Sequence, residues 1–378
     1  MGTLRIAVLF MDYPDAQATR STQHEASFGL SYVEEYLEAA SYGRLDVELV
    51  PHHQWLRAER SYTHYADVID VVGRSAIIWP ATAHAVELAD DDVDFSGIDM
   101  VLHVSPSTHF DSGNAHRTAE ADGTTFGLAR VGTEKRSPSG EPFFWGHTAA
   151  HEVTHLFGLL DLYPYDTQVH DTTGTVPRGK TRVDVLWGLM GLRSWFFSDT
   201  TDPRRRHTWR HTSGQSNAGY NTYLEPHEML AWSRWQLGWL DETQVRCIDE
   251  STATVTLSPI SQPGDGTIMA AVQLNAREVI VVESRRKLGY DHSRDYKAPD
   301  GWSTRFPRLI SEGVLVYTVD ALVQTGELPL KVAGDSGNGQ VDDFPVLQAG
   351  ESVTVRGYTI TVTADDGDTH TVTITKAN

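Results

Sequence analysis

The chain has 378 residues, enough for two domains with separate cores, and its 40% apolar and 22% charged content is ordinary globular composition. Acidic residues outnumber Lys and Arg 51 to 31; the net charge of −20 argues against nucleic acid or anionic membrane as a partner, because phosphates would be repelled. Cys247 is the single cysteine, which excludes an intrachain disulfide and reads as a small buried hydrophobe.

No apolar run approaches the 18 residues of a membrane-spanning helix. Arg5–Phe10 is too short for the core of a signal peptide and reads as a buried strand within residues 4–10. A turn at Met11–Asp15 follows. Residues 24–41 carry Phe28, Tyr32, Val33, Tyr36 and Leu37 at helical spacing, and Ser41-Tyr42-Gly43 closes that helix. Arg44–Val50 alternates as a strand, residues 61–89 hold one or two helices, and Asp99–Val104 is an apolar strand. The segment 106–142 is rich in Ser, Thr, Gly and His, lacks periodicity, and reads as a loop bordering a cleft. A helix is expected over 146–158, an irregular stretch over 163–222, and a second helix over Pro226–Leu237, closed by Gly238.

Beyond residue 246 short alternating runs recur: Thr252–Leu257, Met269–Leu274, Val279–Val282, Val314–Val319, Ser352–Val355, Tyr358–Val362 and His370–Ile374. Gly, Asp and Pro turns separate them, which predicts an all-β, sandwich-like unit. The expected organisation is therefore a domain over 1–245 and a β-rich domain over 246–378.

Residues 151–161 read His-Glu-Val-Thr-His-Leu-Phe-Gly-Leu-Leu-Asp. On a helix, positions four apart share a face, so His151 and His155 can aim two imidazole nitrogens at one point. Glu152 lies about 100° further round, where its carboxylate can polarise a water instead of binding the ion. Gly158 lets the backbone turn, and Asp161 can then offer an oxygen. Two nitrogens, one oxygen and one open position are the donor set of a catalytic zinc. Asp161 is the preferred third ligand; Glu225, His227, Glu228, Asp166 and His170 are alternatives. His147, one turn before His151, is a further candidate neighbour.

Several segments in order resemble the immune inhibitor A family of secreted bacterial zinc metallopeptidases. Val8–Asp15 resembles the family's opening strand and turn, and Ser41-Tyr42-Gly43-Arg44-Leu45-Asp46 its "SYGKLD" segment. Trp187–Met190 resembles "WDLM", Ala231–Leu240 resembles "AWSKWQLGWL", and Gly313–Asp320 resembles a strand of the family's β-domain. The resemblance spans nearly the whole chain. It implies an α+β metzincin-like peptidase domain ahead of the β unit, one catalytic zinc, endopeptidase activity, secretion, and Met190 in a turn beneath the metal.

The chain also departs from the family. The calcium loop that often follows the "DF" pair is absent at Asp94-Phe95, so calcium is expected, if anywhere, at Asp365-Asp366-Gly367-Asp368, which a hairpin turn explains equally well. Asp90-Asp91-Asp92 reads as a solvated surface. The expected activity is zinc-dependent endopeptidase cleavage of protein or peptide substrates by a monomer. His151, His155 and Asp161 hold the metal, and Glu152 is general base to a zinc-bound water. The rival expectation is a catalytically inactive metal-binding or adhesion protein on the same scaffold. Tyr163, Tyr165, Tyr220 and Tyr223 are candidate oxyanion donors.

Overall fold

The apolar run from Leu4 to Met11 becomes strand β1 (Gly2–Asp12), which sits between two parallel neighbours. A strand covered on both faces is apolar without alternation, and Ile6 to Met11 are all fully buried. In the computed structural model the described residues are 2–67, 78–106, 113–133, 145–162, 188–191, 195–197, 221–223, 228–262, 264–292, 294–297, 303–306, 312–333 and 346–377. They divide into two compact units, Met1–Leu159 with Lys297–Ser303, and Leu160–Tyr296 with Thr304–Asn378.

In the first unit, helix α1 (Thr22–Ala40) starts at Ser21, whose hydroxyl accepts from the His24 amide. Strand β2 (Leu45–Arg57) runs parallel to β1 on one side, and β3 (Met100–Ser105) runs parallel to it on the other. Helices α2 (Tyr62–Asp67) and α3 (Ile78–Ala89) cover one face, where Tyr62, Tyr65, Ala85 and Val86 pack with Ala7, Leu9 and Met11. Strands β4 (Gly113–Ala121) and β5 (Thr124–Gly132) form a hairpin, and β5 joins β3 in parallel. The sheet order is β2-β1-β3-β5-β4. Helix α4 (Gly146–Leu156) packs on α1 at close range: a Cβ on Gly146 would lie 2.5 Å from the carbonyl oxygen of Gly29.

The second unit contains the short pair β6 (Trp195–Phe197) and β7 (Asn221–Tyr223), then helix α5 (Ala231–Gln236). The strands after it are β8 (Val245–Cys247), β9 (Thr252–Leu257), β10 (Met269–Gln273) and β11 (Glu278–Arg285). Two short strands follow, β12 (Arg294–Lys297) and β13 (Ser303–Phe306). The last six are β14 (Gly313–Asp320), β15 (Leu330–Val332), β16 (Val346–Leu347), β17 (Ser352–Val355), β18 (Tyr358–Asp365) and β19 (His370–Lys376). One sheet has the order β15-β14-β11-β10-β8 with β16 also on β14; the other is β17-β18-β19-β9. Val255, Leu257, Val272, Val282, Val316, Ile360, Val372 and Ile374, drawn from both sheets, share one core. The alternation read in the sequence places these residues inward and the threonines outward.

A buried ionic cluster ties α5 to this core. Arg285 is fully buried and donates to Glu283 and Asp291, and Arg234 pairs with Glu228. Glu283 accepts from the Ala231 amide at 2.8 Å and from the Tyr317 hydroxyl at 2.8 Å, capping the first turn of α5 from a neighbouring strand. Burial raises the Asp291 carboxyl to about 7 against the pull of Arg285, and Glu228 adds to the rise.

The expected α+β metzincin-like fold is overturned. Among the described residues strand dominates, 42% against 22% helix, with several sheets and few helices. One cause is the segment 106–142, read as loop: its described part is β4 and β5. β4 is an edge strand, so its polar residues masked the strand signal. The helix expected over Pro226–Leu237 is described only as Ala231–Gln236, with residues 226–227 outside the described residues. Cys247 is exposed, not buried. It ends β8, which stands last in its sheet's strand order among the described residues.

Candidate metal centre

Helix α4 is buried along its length from Gly146 to His155. Small residues (Gly146, Thr148, Ala149, Ala150) permit that burial, and Val153 adds an apolar contact surface. The last turn closes with the Phe157 amide on the Thr154 carbonyl at 3.1 Å and the Gly158 amide on the His155 carbonyl at 2.8 Å. Gly158 takes φ 94°, a left-handed conformation that redirects the chain after the helix.

That redirection brings Asp161 back toward the helix. One ligand atom from each of His151, His155 and Asp161 lies within 4.8 Å of the others, and all three residues are buried. The two imidazole centroids are 4.6 Å apart, with ring planes at 89°. Donors of a tetrahedral zinc sit about 3.3 Å apart, a spacing inside the 4.8 Å within which these three atoms lie. The Nδ1 atom of His155 lies 2.8 Å from the Leu159 carbonyl oxygen. A carbonyl only accepts, so Nδ1 carries the proton, and Nε2 is the ring nitrogen that a metal would take. Two imidazoles and one carboxylate, all three residues buried, fit a divalent cation of the zinc class.

Glu152 is buried on the same helix, 6% exposed, and is not one of the three clustered ligands. Met190 is buried in the turn Gly188–Gly191; its carbonyl accepts from the Leu162 amide at 2.9 Å, one residue beyond Asp161. Gly188 adopts φ 79°, and a Cβ there would press on Leu230 at 3.0 Å. Among the alternative ligands, Glu228 is committed elsewhere: it pairs with Arg234 and accepts from the Tyr290 amide at 2.8 Å. Glu225, His227, Asp166 and His170 lie outside the described residues, as do Tyr163, Tyr165 and Tyr220. Tyr223 ends β7. His147 is buried with its ring 6.3 Å from that of Tyr32.

One contact is invisible in the sequence. Thr325, 164 residues from Asp161, accepts from its amide at 3.1 Å and reaches its Oδ2 at 3.4 Å. The candidate calcium segment forms the β18–β19 hairpin turn. Arg286 pairs with Asp365 and holds its carboxyl down at about 2, helped by the Gly367 amide. Asp366 accepts from the Asp368 and Thr369 amides. Asp90, Asp91 and Asp92 are all exposed.

Among the described residues, no helix is long and apolar enough to cross a membrane. No family model matches the chain and no curated protein matches it, so the likeness to immune inhibitor A is carried by the segments quoted above.

Proposed function

We propose that this chain is a zinc-dependent endopeptidase. The observation that carries the proposal is the buried set of His151, His155 and Asp161, with Glu152 on the same helix. The choice of peptide bonds as substrate rests on the segments that resemble immune inhibitor A. Zinc held by the three side chains supplies Lewis acidity, polarising a water and a substrate carbonyl.

Each residue has a defined task. His155 is held in one tautomer by the Leu159 carbonyl, which fixes Nε2 as the donor atom. Asp161 would contribute the one negative charge among the three ligands. Glu152 takes a proton from the attacking water at its carboxylate and returns it to the leaving amine.

The test is casein hydrolysis by the purified protein, with and without 1,10-phenanthroline, followed by zinc re-addition and metal analysis. Activity that disappears with the chelator and returns with zinc is expected. Zinc bound without hydrolysis would favour the inactive scaffold instead. Hydrolysis indifferent to the chelator, in protein free of metal, would end the reading.

A further inference from the structure

The geometry points to Thr325 as the positioning residue of the third metal ligand, an inference that rests on the metal-site reading above. Thr325 accepts from the Asp161 amide at 3.1 Å, and its hydroxyl faces Asp161 Oδ2 at 3.4 Å. A threonine hydroxyl has one proton and two lone pairs. Accepting from the amide leaves the proton for the carboxylate. One side chain thus fixes both the backbone and the carboxylate plane of Asp161. The carboxylate so held offers one oxygen within 4.8 Å of a ring nitrogen of His151 and of His155.

The loop that carries Thr325 is built for this. It joins β14 to β15, and its base is closed by the Asp320 amide on the Pro329 carbonyl at 2.9 Å. The Asp320 carboxylate accepts from Arg277 at 2.9 Å and from the Leu322 amide at 3.1 Å. Within the loop the Glu327 amide donates to the Gln324 carbonyl at 3.1 Å, and Gly326 has φ 77°. A left-handed residue at the third position of such a turn is the type II arrangement, and it leaves Thr325 at the second position, on the outside of the bend. From the other side, the Met190 carbonyl holds the Leu162 amide at 2.9 Å. Asp161 is therefore fixed on both flanks by chain segments remote in sequence. Ligating carboxylates whose outer oxygen is hydrogen-bonded bind metal more tightly, because the partner pays part of the ordering in advance.

Zinc affinity of the full chain, measured by competition with a chromophoric chelator, tests this. Removing an outer partner of a metal ligand weakens binding by about 10–100-fold, so Thr325→Val is expected to lose affinity in that range. Thr325→Ser keeps the hydroxyl and is expected to return to wild-type affinity. The visible absorption of the cobalt-substituted protein should shift in Thr325→Val and not in Thr325→Ser, a change that a merely structural threonine would not produce. If Thr325→Val does not fold, Thr325→Ala against Thr325→Ser makes the same comparison. Equal zinc affinity in wild type, Thr325→Ser and the variant lacking the hydroxyl overturns the inference and leaves the metal site standing. A wild-type protein that binds no zinc overturns the metal site itself, and the role of Thr325 with it.

Discussion

The Nδ1 atom of His155 lies 2.8 Å from the carbonyl oxygen of Leu159, four residues along the chain. A helix continued through residue 159 would aim that carbonyl along the helix axis, away from the imidazole. Gly158, at φ 94°, ends the helix and turns the carbonyl back. A candidate ligand and the group that sets its tautomer are thus contained in five consecutive residues.

Gly158→Ala should isolate the backbone contribution. Nothing lies within 4 Å of a Cβ built there, so the cost is conformational and not steric. A non-glycine residue in the left-handed region costs about 1–2 kcal/mol. Urea unfolding should show a loss of that size, and zinc titration should show weaker binding. A variant with unchanged stability would mean that the positive φ is not required.

Glu152→Gln keeps the shape of the side chain and removes the base. Zinc content should stay at the wild-type level, and casein turnover should fall by about 10²–10⁴-fold, the usual contribution of general acid–base catalysis. Full turnover in this variant would remove Glu152 from the mechanism.

The approach of α1 and α4 leaves no room for a side chain. A methyl on Gly146 would sit 2.5 Å from the Gly29 carbonyl oxygen, and one on Gly29 would sit 2.5 Å from the Trp145 ring. Overpacking of this kind costs about 1–3 kcal/mol. Gly146→Ala is expected to lower the thermal midpoint and, by displacing α4, to weaken zinc binding. Differential scanning fluorimetry with and without zinc reads both effects.

The C-terminal sheets should be sensitive to mild acid through His370. Its imidazole is buried, accepts or donates to Ser284 at 2.8 Å, and faces Asp365 at 3.5 Å, with Arg286 beside them. Burial and then the Arg286 charge lower its pKa below the usual 6.5, against the opposing pull of Asp365, Glu312 and Asp366. The unfolded chain therefore binds this proton first as pH falls below 6.5, and stability falls with it. Asp365, at about 2, works in a separate window: its contribution is present above 3.8 and is lost only as pH falls from there toward 2. Urea midpoints between pH 7 and 5 should decline for the wild type and stay flatter for His370→Gln. Parallel curves would assign the acid sensitivity elsewhere.

Cys247 should react with an aromatic disulfide reagent in the native protein, since it is exposed at the end of an edge strand. One equivalent released without denaturant is expected; release only in urea would show the thiol covered.

Of the strands after residue 246, β9, β17, β18 and β19 were legible by alternation and β10, β11 and β14 as apolar runs, whereas the short β12, β13, β15 and β16 were not read. Thr252–Leu257 and Ser352–Val355 match the expected bounds, since alternation of Thr with Val, Ala or Leu has the period of a pleated strand. The helix over 146–156 was legible for a related reason: small and apolar residues fill the turns between the histidines. The hairpin of β4 and β5 was not, because an edge strand with a wet face has the composition of a loop. The expected burial of Cys247 failed on the same point, since residue type does not reveal which strand closes a sheet.

By itself the sequence determined the spacing of His151, Glu152 and His155, because one helical turn is a local property of the backbone. It also put Asp161 within reach, through a glycine free to turn the chain. Only the tertiary structure commits Glu228 to Arg234 and the Tyr290 amide, in a cluster assembled from distant segments. Only the tertiary structure brought Thr325 to Asp161 across 164 residues. Contacts of that range follow from the packing of whole sheets, and no local periodicity encodes them.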